Sequence, residues 1–534
     1  MANKNIFNKS AVAQSNVPVA NATNLAGGKA YSLTAKQAIA QYAVTGTFNG
    51  TYYADADQHL KSIQGLFLDK TVDAAFIAKL AVYSRQSAYM KDMPAFLLAV
   101  LSTKDVALFK KAFPLVIDNS KMLRNFVQIV RSGALGRKSL GSAPKKAIKA
   151  WFDARTDEQL FSDSVGNDPS LVDVIRLAHV KPNSNVRETL FKYFMGNEIS
   201  AESKGNLPKI VQEYEDFKVN FASKAEAPKV PFQMLTSLPL TETHWKKIAT
   251  DAKWQMTRMN LNTFARHGVF KDSSLTKLIA DRLADEGNVK HAKVFPYQLF
   301  AAYKTVDDSV PVKVKNALQD AMEHAVKNVP SFNGKKIFVG VDVSGSMQSP
   351  ITGTRGTATS KINCNEVAAL IAAAMVKAND NTEVLQFDTA CKPLKGLNAR
   401  DSVMTNISKI SFSGGGTDCS SVLRHLNSNA AKGDFVVIVS DNESWMEFYN
   451  SGFRKGTGLA HEWATFKTRN PKAKLICIDM QPNLTAQIKP AQDVLCVGGF
   501  SDNVFSIMEA FADNEKNDPD FWVSKIEQSS QIGF

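Results

Sequence analysis

Over the first 330 residues apolar positions recur at helical spacing and rarely alternate. Between Asp73 and Met90 they fall at Phe76, Ile77, Leu80, Ala81 and Tyr83, one face of a helix. A second helical run spans Met93 to Leu101, with Pro94 in its first turn, where a missing N–H has no partner to lose. The same spacing predicts helices over 105–117, 119–132, 143–152, 170–178, 186–195, 207–222, 242–267, 274–284, 295–305 and 310–328. Paired helices with short connections and few strands predict an α-solenoid of HEAT-like stacking, without a fixed period.

The pattern changes after Pro330, a residue that ends the last of these helices. Short runs of aliphatic and β-branched residues at 336–342, 382–388, 434–440, 473–479 and 493–497 predict buried strands. Helical patterns at 363–377, 417–427, 459–468 and 502–512 lie between them. Such alternation predicts a doubly wound parallel sheet. The expected chain is multidomain, α plus α/β: a flexible tail over 1–28, a helical-repeat domain over 29–330 and an α/β domain over 335–534.

Composition narrows this picture. A chain of 534 residues accommodates two or more domains. The longest apolar run, Val367 to Val376, is too short for a bilayer, so no membrane partner is expected. The stretch Met1–Gly28 lacks the apolar core of a secretory signal. Cys364, Cys391, Cys419, Cys477 and Cys496 all lie in the α/β part without zinc spacing, which reads as reduced thiols in a cytoplasmic protein.

Charge is segregated. Residues 1–334 hold 44 Lys and Arg against 30 Asp and Glu, whereas residues 335–534 hold 20 against 21. The densest segment, 104–149, has 11 basic side chains against only Asp105 and Asp118. A basic, cysteine-free part beside a neutral one suggests a polyanionic partner; a solvated helical face is the plainer explanation.

Candidate chemistry begins at the first α/β strand, Ile337 to Asp342, which runs into Val343-Ser344-Gly345-Ser346. It ends in one carboxylate and two hydroxyls, at the edge of an α/β sheet where ligands bind. Alone, Asp-x-Ser-x-Ser is an ordinary turn. Two further loops raise its weight: Gly414-Gly415-Gly416-Thr417-Asp418 opens a helix, and the strand Phe435–Ser440 ends at Asp441. Oxygen donors without thiols or imidazoles suit a hard cation, Mg²⁺ before Ca²⁺ or Mn²⁺. Asp418 and Glu443 lie nearby and are explained by helix capping and solvent exposure.

The set Asp342, Ser344, Ser346, Thr417 and Asp441 resembles the metal-ion-dependent adhesion site of von Willebrand factor A domains, matching all five positions. The resemblance implies that the hydroxyls reach the metal directly or through water and the aspartates largely through water. It also implies an open position that accepts a carboxylate from an unidentified acidic ligand.

The basic segment holds a loop entering a helix, Arg131-Ser132-Gly133-Ala134-Leu135-Gly136-Arg137-Lys138-Ser139-Leu140-Gly141-Ser142-Ala143-Pro144-Lys145-Lys146. Backbone N–H groups at such a start, with Lys145 and Lys146 beside them, suit phosphate. Further on, Arg176-Leu177-Ala178-His179-Val180-Lys181-Pro182 ends a helix with cations, a placement the helix dipole favours by itself. Together with Tyr89-Met90-Lys91-Asp92-Met93-Pro94-Ala95, these stretches resemble the TROVE module. A TROVE module followed by an A domain resembles the Ro ribonucleoprotein autoantigen family, including its bacterial and phage relatives.

That resemblance implies a helical-repeat ring whose ends meet near the A domain. It implies a small structured Y-like RNA on the basic outer surface and single-stranded 3′ ends of misfolded RNA in a central hole. An RNA quality-control or maturation role, with an exoribonuclease as protein partner, follows from the same likeness. RNA contact is carried over to Arg131, Arg137, Lys138, Lys145, Lys146, Arg176, His179 and Lys181, the cations neutralising phosphates and His179 meeting an unpaired base. One departure stands out: Asp153, Asp157, Glu158, Asp163, Asp168 and Asp173 surround Arg155 where animal members are basic. A metal-dependent protein adaptor with a solenoid groove and no RNA is the competing reading. An enzyme is not expected: with eight histidines the chain has neither His-Glu-x-x-His nor a Walker loop.

Overall fold

The computed structural model describes residues 17–45, 48–221, 223, 226–292, 294, 296–332, 334–355, 358–359, 361–446, 455–500, 502–513 and 518–529. The helical part and the α/β part form as the periodicities predict. Helix starts are set by local caps: Asp73 Oδ1 accepts from Phe76 N–H at 2.7 Å, and Thr156 with Gln159 forms a capping box. Apolar faces then stack, as where Phe109, Phe113 and Phe126 pack ring against ring between neighbouring helices.

Three helical expectations need correction. The run 242–267 is three helices, Glu242–Asp251, Trp254–Met259 and Leu261–Arg266. The chain turns before Trp254 so that its buried indole N–H donates to the Leu283 carbonyl at 3.1 Å, and Asn260 breaks the next join. Helices also occur at Ala35–Ala43, Ala56–Leu66, Asp157–Asp163 and Glu286–Ala292, which are short or weakly periodic. Finally, residues 17–28 of the expected tail are structured, while residues 1–16 lie outside the described residues.

This N-terminal stretch supplies two short strands, β1 (Ala22–Thr23) and β2 (Lys29–Ser32). The α/β part contributes β3 (Ile337–Asp342), β4 (Thr382–Phe387), β5 (Cys391–Pro393), β6 (Phe435–Ser440), β7 (Lys474–Asp479), β8 (Thr485–Ala486) and β9 (Val494–Gly498). The main sheet has the order β9-β7-β6-β3-β4-β5, parallel except for the edge strand β5, which is antiparallel to β4. A second sheet, β1-β2-β8, is antiparallel and ties the N-terminal stretch to the A-type domain. In the main sheet β3 is flanked by β4 on one side and β6 on the other, so strand order reverses at β3. Ligand crevices form at the C-terminal ends of strands beside such a reversal.

Both ends of the helical part dock on the α/β part. At one end, the helix Phe521–Gln528 packs on Ala35–Ala43 and Ala74–Gln86, and Trp522 Nε1 donates to the Tyr83 hydroxyl at 3.2 Å. At the other, Lys377 pairs with Glu323 at 2.8 Å, and Tyr297 meets Phe500 edge-to-face with centroids 4.8 Å apart. The α/β domain therefore closes the helical ring.

Gly28 shows how tightly the N-terminal stretch is seated. A Cβ there would lie 2.0 Å from the Ser444 carbonyl oxygen, a backbone atom that cannot swing aside. Gly28→Ala is expected to destabilise the protein by about 1–3 kcal/mol, the usual range for overpacking, read as a lower denaturation midpoint at unchanged m-value.

Candidate metal site and nucleic-acid interface

The expected metal residues converge at the crevice beside β3. Asp342 ends β3, and Ser344 and Ser346 follow on its loop, Ser346 opening a one-turn 3₁₀ helix. Thr417 comes from the glycine loop and Asp441 directly follows β6. Backbone bonds hold the loops together: Gly345 N–H donates to the Gly415 carbonyl at 2.9 Å, and Ser413 N–H to that of Val343 at 3.2 Å. A Cβ on Gly415 would sit 2.8 Å from Asp388 Oδ2 and push that side chain aside. All five residues are buried.

Their hydrogen bonds leave capacity for a cation. Asp342 Oδ1 accepts from Ser344 N–H at 2.9 Å and Oδ2 from Ser440 Oγ at 2.5 Å. Ser344 Oγ and Ser346 Oγ lie 3.4 Å apart. Among the described residues, Asp441 Oδ2 is buried with no hydrogen-bond partner. Among the described residues no three His, Cys, Asp or Glu side chains cluster as a metal site; the donor set here is mainly hydroxyls. Three hydroxyls and two carboxylates, one with an orphaned oxygen, fit a hard divalent cation.

Electrostatics agree. Burial first, and the Asp441 charge second, push the Asp342 carboxyl up to about 7. Burial likewise raises Asp441. Asp479, at the end of β7 and paired in register with Ser440, is raised by burial and then by Asp441 and Glu443. A divalent cation would supply the positive charge this pocket lacks.

Of two neighbours, Glu443 departs from expectation, while Asp418 accepts from the first N–H of the helix Ser420–Ser428, as a capping residue does. Glu443 is not solvent-exposed: it is 1% exposed and accepts from Ala26 N–H at 3.0 Å and from the Asn483 amide. Asp418 is also buried, accepting from Ser420 N–H at 3.0 Å and Arg424 Nη1 at 3.0 Å, a local structural role. Three other residues near the site carried no sequence signal of their own: Ser440, Asp479 and Tyr53. The Tyr53 hydroxyl, from the loop before Ala56–Leu66, lies near Ser346 and within the field of Asp441. Only the ending of a strand in Asp could have pointed to Asp479.

The residues expected to contact RNA lie on three helices and on the segments that follow two of them. Arg131 closes Ser120–Arg131, Lys145 and Lys146 lie in the first turns of Ser142–Asp153, and Arg176 lies in the last turn of Leu171–Ala178. Leu171–Ala178 packs on both of the other helices. Arg131 and Arg176 both act on Asp173, whose carboxyl is held low by Ser170 hydrogen bonds first and by these two charges after. His179 is the left-handed cap of its helix, φ 55°, and its side chain is exposed, as are Lys181, Arg131, Lys138, Lys146 and Arg176. Lys145 is half-buried. Arg137 is half-buried too and donates to Ser102 Oγ, so part of its guanidinium faces inward. The start of Ser142–Asp153 is capped by Gly141 without a side-chain acceptor, and Pro144 is buried within its first turn. Several carboxylates of the acidic stretch are internally matched: Asp163 with Arg155 at 3.2 Å, Asp157 with buried Arg187, and Asp173 as a cap for Leu171–Ala178.

Fold and site together define a class: a HEAT-like helical ring closed by a von Willebrand factor A-type domain whose crevice gathers buried hydroxyls and carboxylates. Residues 336–512 match the family model described as the Ro60 vWA domain, and residues 222–378 match the TROVE domain. The "RNA-binding protein RO60" of Deinococcus radiodurans is 25% identical, over 92% of this chain and 95% of its own. The crystal structure of the Deinococcus radiodurans RO (RSR) protein superposes with a TM-score of 0.60 at 21% identity, covering 90% of this chain and all of that one. The chain is thus similar to Ro-family proteins in both of its parts, the TROVE domain and the von Willebrand factor A domain.

The raised carboxyls fix a pH dependence. A carboxyl whose folded pKa exceeds its unfolded value stabilises the fold below the unfolded pKa and loses that contribution as pH rises. With EDTA, thermal stability is expected to fall between about pH 4 and 7 as Asp342 ionises, and Mg²⁺ should restore it at the upper end. Unfolding midpoints measured across that range with and without Mg²⁺ check this.

Proposed function

We propose that this protein is the RNA-binding scaffold of a cytoplasmic ribonucleoprotein. The exposed Arg131, Lys138, Lys146, Arg176, His179 and Lys181 on adjoining helices are the observation that carries the reading. Lys and Arg there neutralise the phosphates of a small structured, Y-like RNA, Lys145 adds to the field, and Arg137 both shapes the loop and faces it. His179, held outward by its left-handed backbone, meets an unpaired base. The segregated positive charge of the helical part supports the same reading. Single-stranded 3′ ends of misfolded RNA enter the ring, selected by accessibility of an end, and an exoribonuclease acts on what is delivered. The protein supplies binding in RNA quality control or maturation rather than catalysis.

The A domain binds one divalent cation, Mg²⁺ before Ca²⁺ or Mn²⁺, through Asp342, Ser344, Ser346, Thr417 and Asp441. Its open position takes a carboxylate from an acidic partner. The orphaned Asp441 oxygen supports this part of the reading.

Lys145→Ala combined with Lys146→Ala is expected to weaken binding of all RNAs and to lower the slope of log affinity against log salt by about 1 to 2. Asp342→Ala should abolish cation binding in calorimetry and leave RNA affinity near wild type. Sequencing of nuclease-protected RNA from the native complex tests the reading as a whole. A discrete stoichiometric small RNA supports it; RNA-free protein at moderate salt favours a metal-dependent protein adaptor instead.

A further inference from the structure

The loop 48–55 belongs to the helical part, yet it is fastened to the A domain beside the metal loops. Gly50 N–H donates to the Thr354 carbonyl at 3.0 Å, and Thr354 N–H donates back to Gly50 at 2.8 Å. Arg355 Nε donates to Asn49 Oδ1 at 3.0 Å, and its Nη2 reaches Asp92 at 2.9 Å. On the far side, Tyr52 N–H donates to Gln481 Oε1 at 3.5 Å, and Gln481 Nε2 donates to the Pro350 carbonyl at 3.4 Å. Anchored at these points, the loop holds Tyr53 half-buried, its hydroxyl in reach of Ser346 and close enough to Asp441 to feel its charge.

Charge balance gives that hydroxyl a task. A divalent cation offsets the charges of Asp342 and Asp441. A carboxylate ligand on the cation then brings a further negative charge into a pocket that already holds buried Glu443 and Asp479. A partly desolvated anion requires hydrogen-bond donors. Ionised carboxylates only accept, so the motif itself offers as side-chain donors only the O–H groups of Ser344, Ser346 and Thr417, which also face the cation's place through their oxygens. Tyr53 is a donor from outside the motif, beside Ser346 and partly open to solvent.

We propose, building on the metal-site reading above, that Tyr53 is a ligand-binding residue of the metal site. Its hydroxyl donates a hydrogen bond to the carboxylate held on the cation. The binding site for the acidic ligand is thus built jointly by the helical part and the A domain, and it is complete only when the two are docked.

The test uses the full chain with Mn²⁺ as the cation. Calorimetry first measures Mn²⁺ binding, then titrates acetate, and separately a short peptide with one glutamate, into the Mn²⁺-loaded protein. Tyr53→Phe keeps the ring and removes only the oxygen. It should bind Mn²⁺ within about twofold of wild type while its affinity for both carboxylates falls by about tenfold or more, as expected for a lost bond to a charged group. Unchanged or tighter carboxylate binding by Tyr53→Phe, with Mn²⁺ still bound, overturns the proposal. Wild-type protein that binds no Mn²⁺, or binds it equally as Asp342→Ala, overturns the metal-site reading itself. Hydrogen exchange at Gly50 and Thr354, the same in Tyr53→Phe as in wild type, confirms that the loop has stayed docked.

Discussion

Two carboxylates buried side by side, without a cationic side chain bonded to either, are the constraint around which the A domain is organised. Asp342 and Asp441 both lie at strand ends in the crevice where the sheet order reverses. Their hydrogen bonds come from backbone N–H groups and serines, which stabilise charge less than a counter-ion does. Each is therefore driven toward its protonated form, and the pocket gains most from a cation. The glycines of the 413–416 loop, the hydroxyls of the motif and the orphaned Asp441 oxygen are intelligible as parts of that arrangement.

The same crevice joins the two halves of the chain. Residues 24–28 reach across to clasp Glu443 and Ser444, with Asn24 donating to the Ser444 carbonyl at 2.8 Å and accepting from Gly28 N–H at 2.7 Å. The loop 48–55 docks on the opposite side through Thr354 and Gln481. An A domain standing alone would lack both supports, and a helical part standing alone would leave its two ends unpaired. Closure of the ring and shaping of the metal pocket are consequently one packing problem.

On the helical side, function is a matter of which charges are left over after folding. Arg187 is buried and donates to the carbonyls of Phe152 at 3.0 Å and Arg155 at 2.6 Å, so it belongs to the stack. Arg155 lies on the Trp151 ring, 3.4 Å from its centroid, and bonds Asp163. The acidic stretch is thus partly absorbed by internal pairing, while Lys138, Lys146, Arg176 and His179 remain outward. Such exposed cations add little to stability and are available to a polyanion.

Elements with local signals were legible in the chain alone. Strand–helix alternation after Pro330, the cap at Asp73 and the spacing of Asp342, Ser344 and Ser346 on one strand end are all read within a few residues. The residues expected at the metal site come together because Asp342, Ser344, Ser346 and Asp441 follow apolar strands and Thr417 follows a glycine loop, and topology carries these segments to one end of the sheet. Only the tertiary structure decided what depends on distant partners. Glu443 reads as an ordinary exposed acid until Ala26 and Asn483 are found against it, hundreds and tens of residues away respectively. The break at Trp254 follows from a carbonyl at Leu283, and the order in residues 17–28 follows from their bonds to Glu443, Ser444 and Lys455. Tyr53 carries no motif, and its place beside Ser346 exists only because the closed ring brings its loop there. Periodicity and spacing encode interactions between near neighbours, whereas burial of a polar group is set by whichever remote segment covers it.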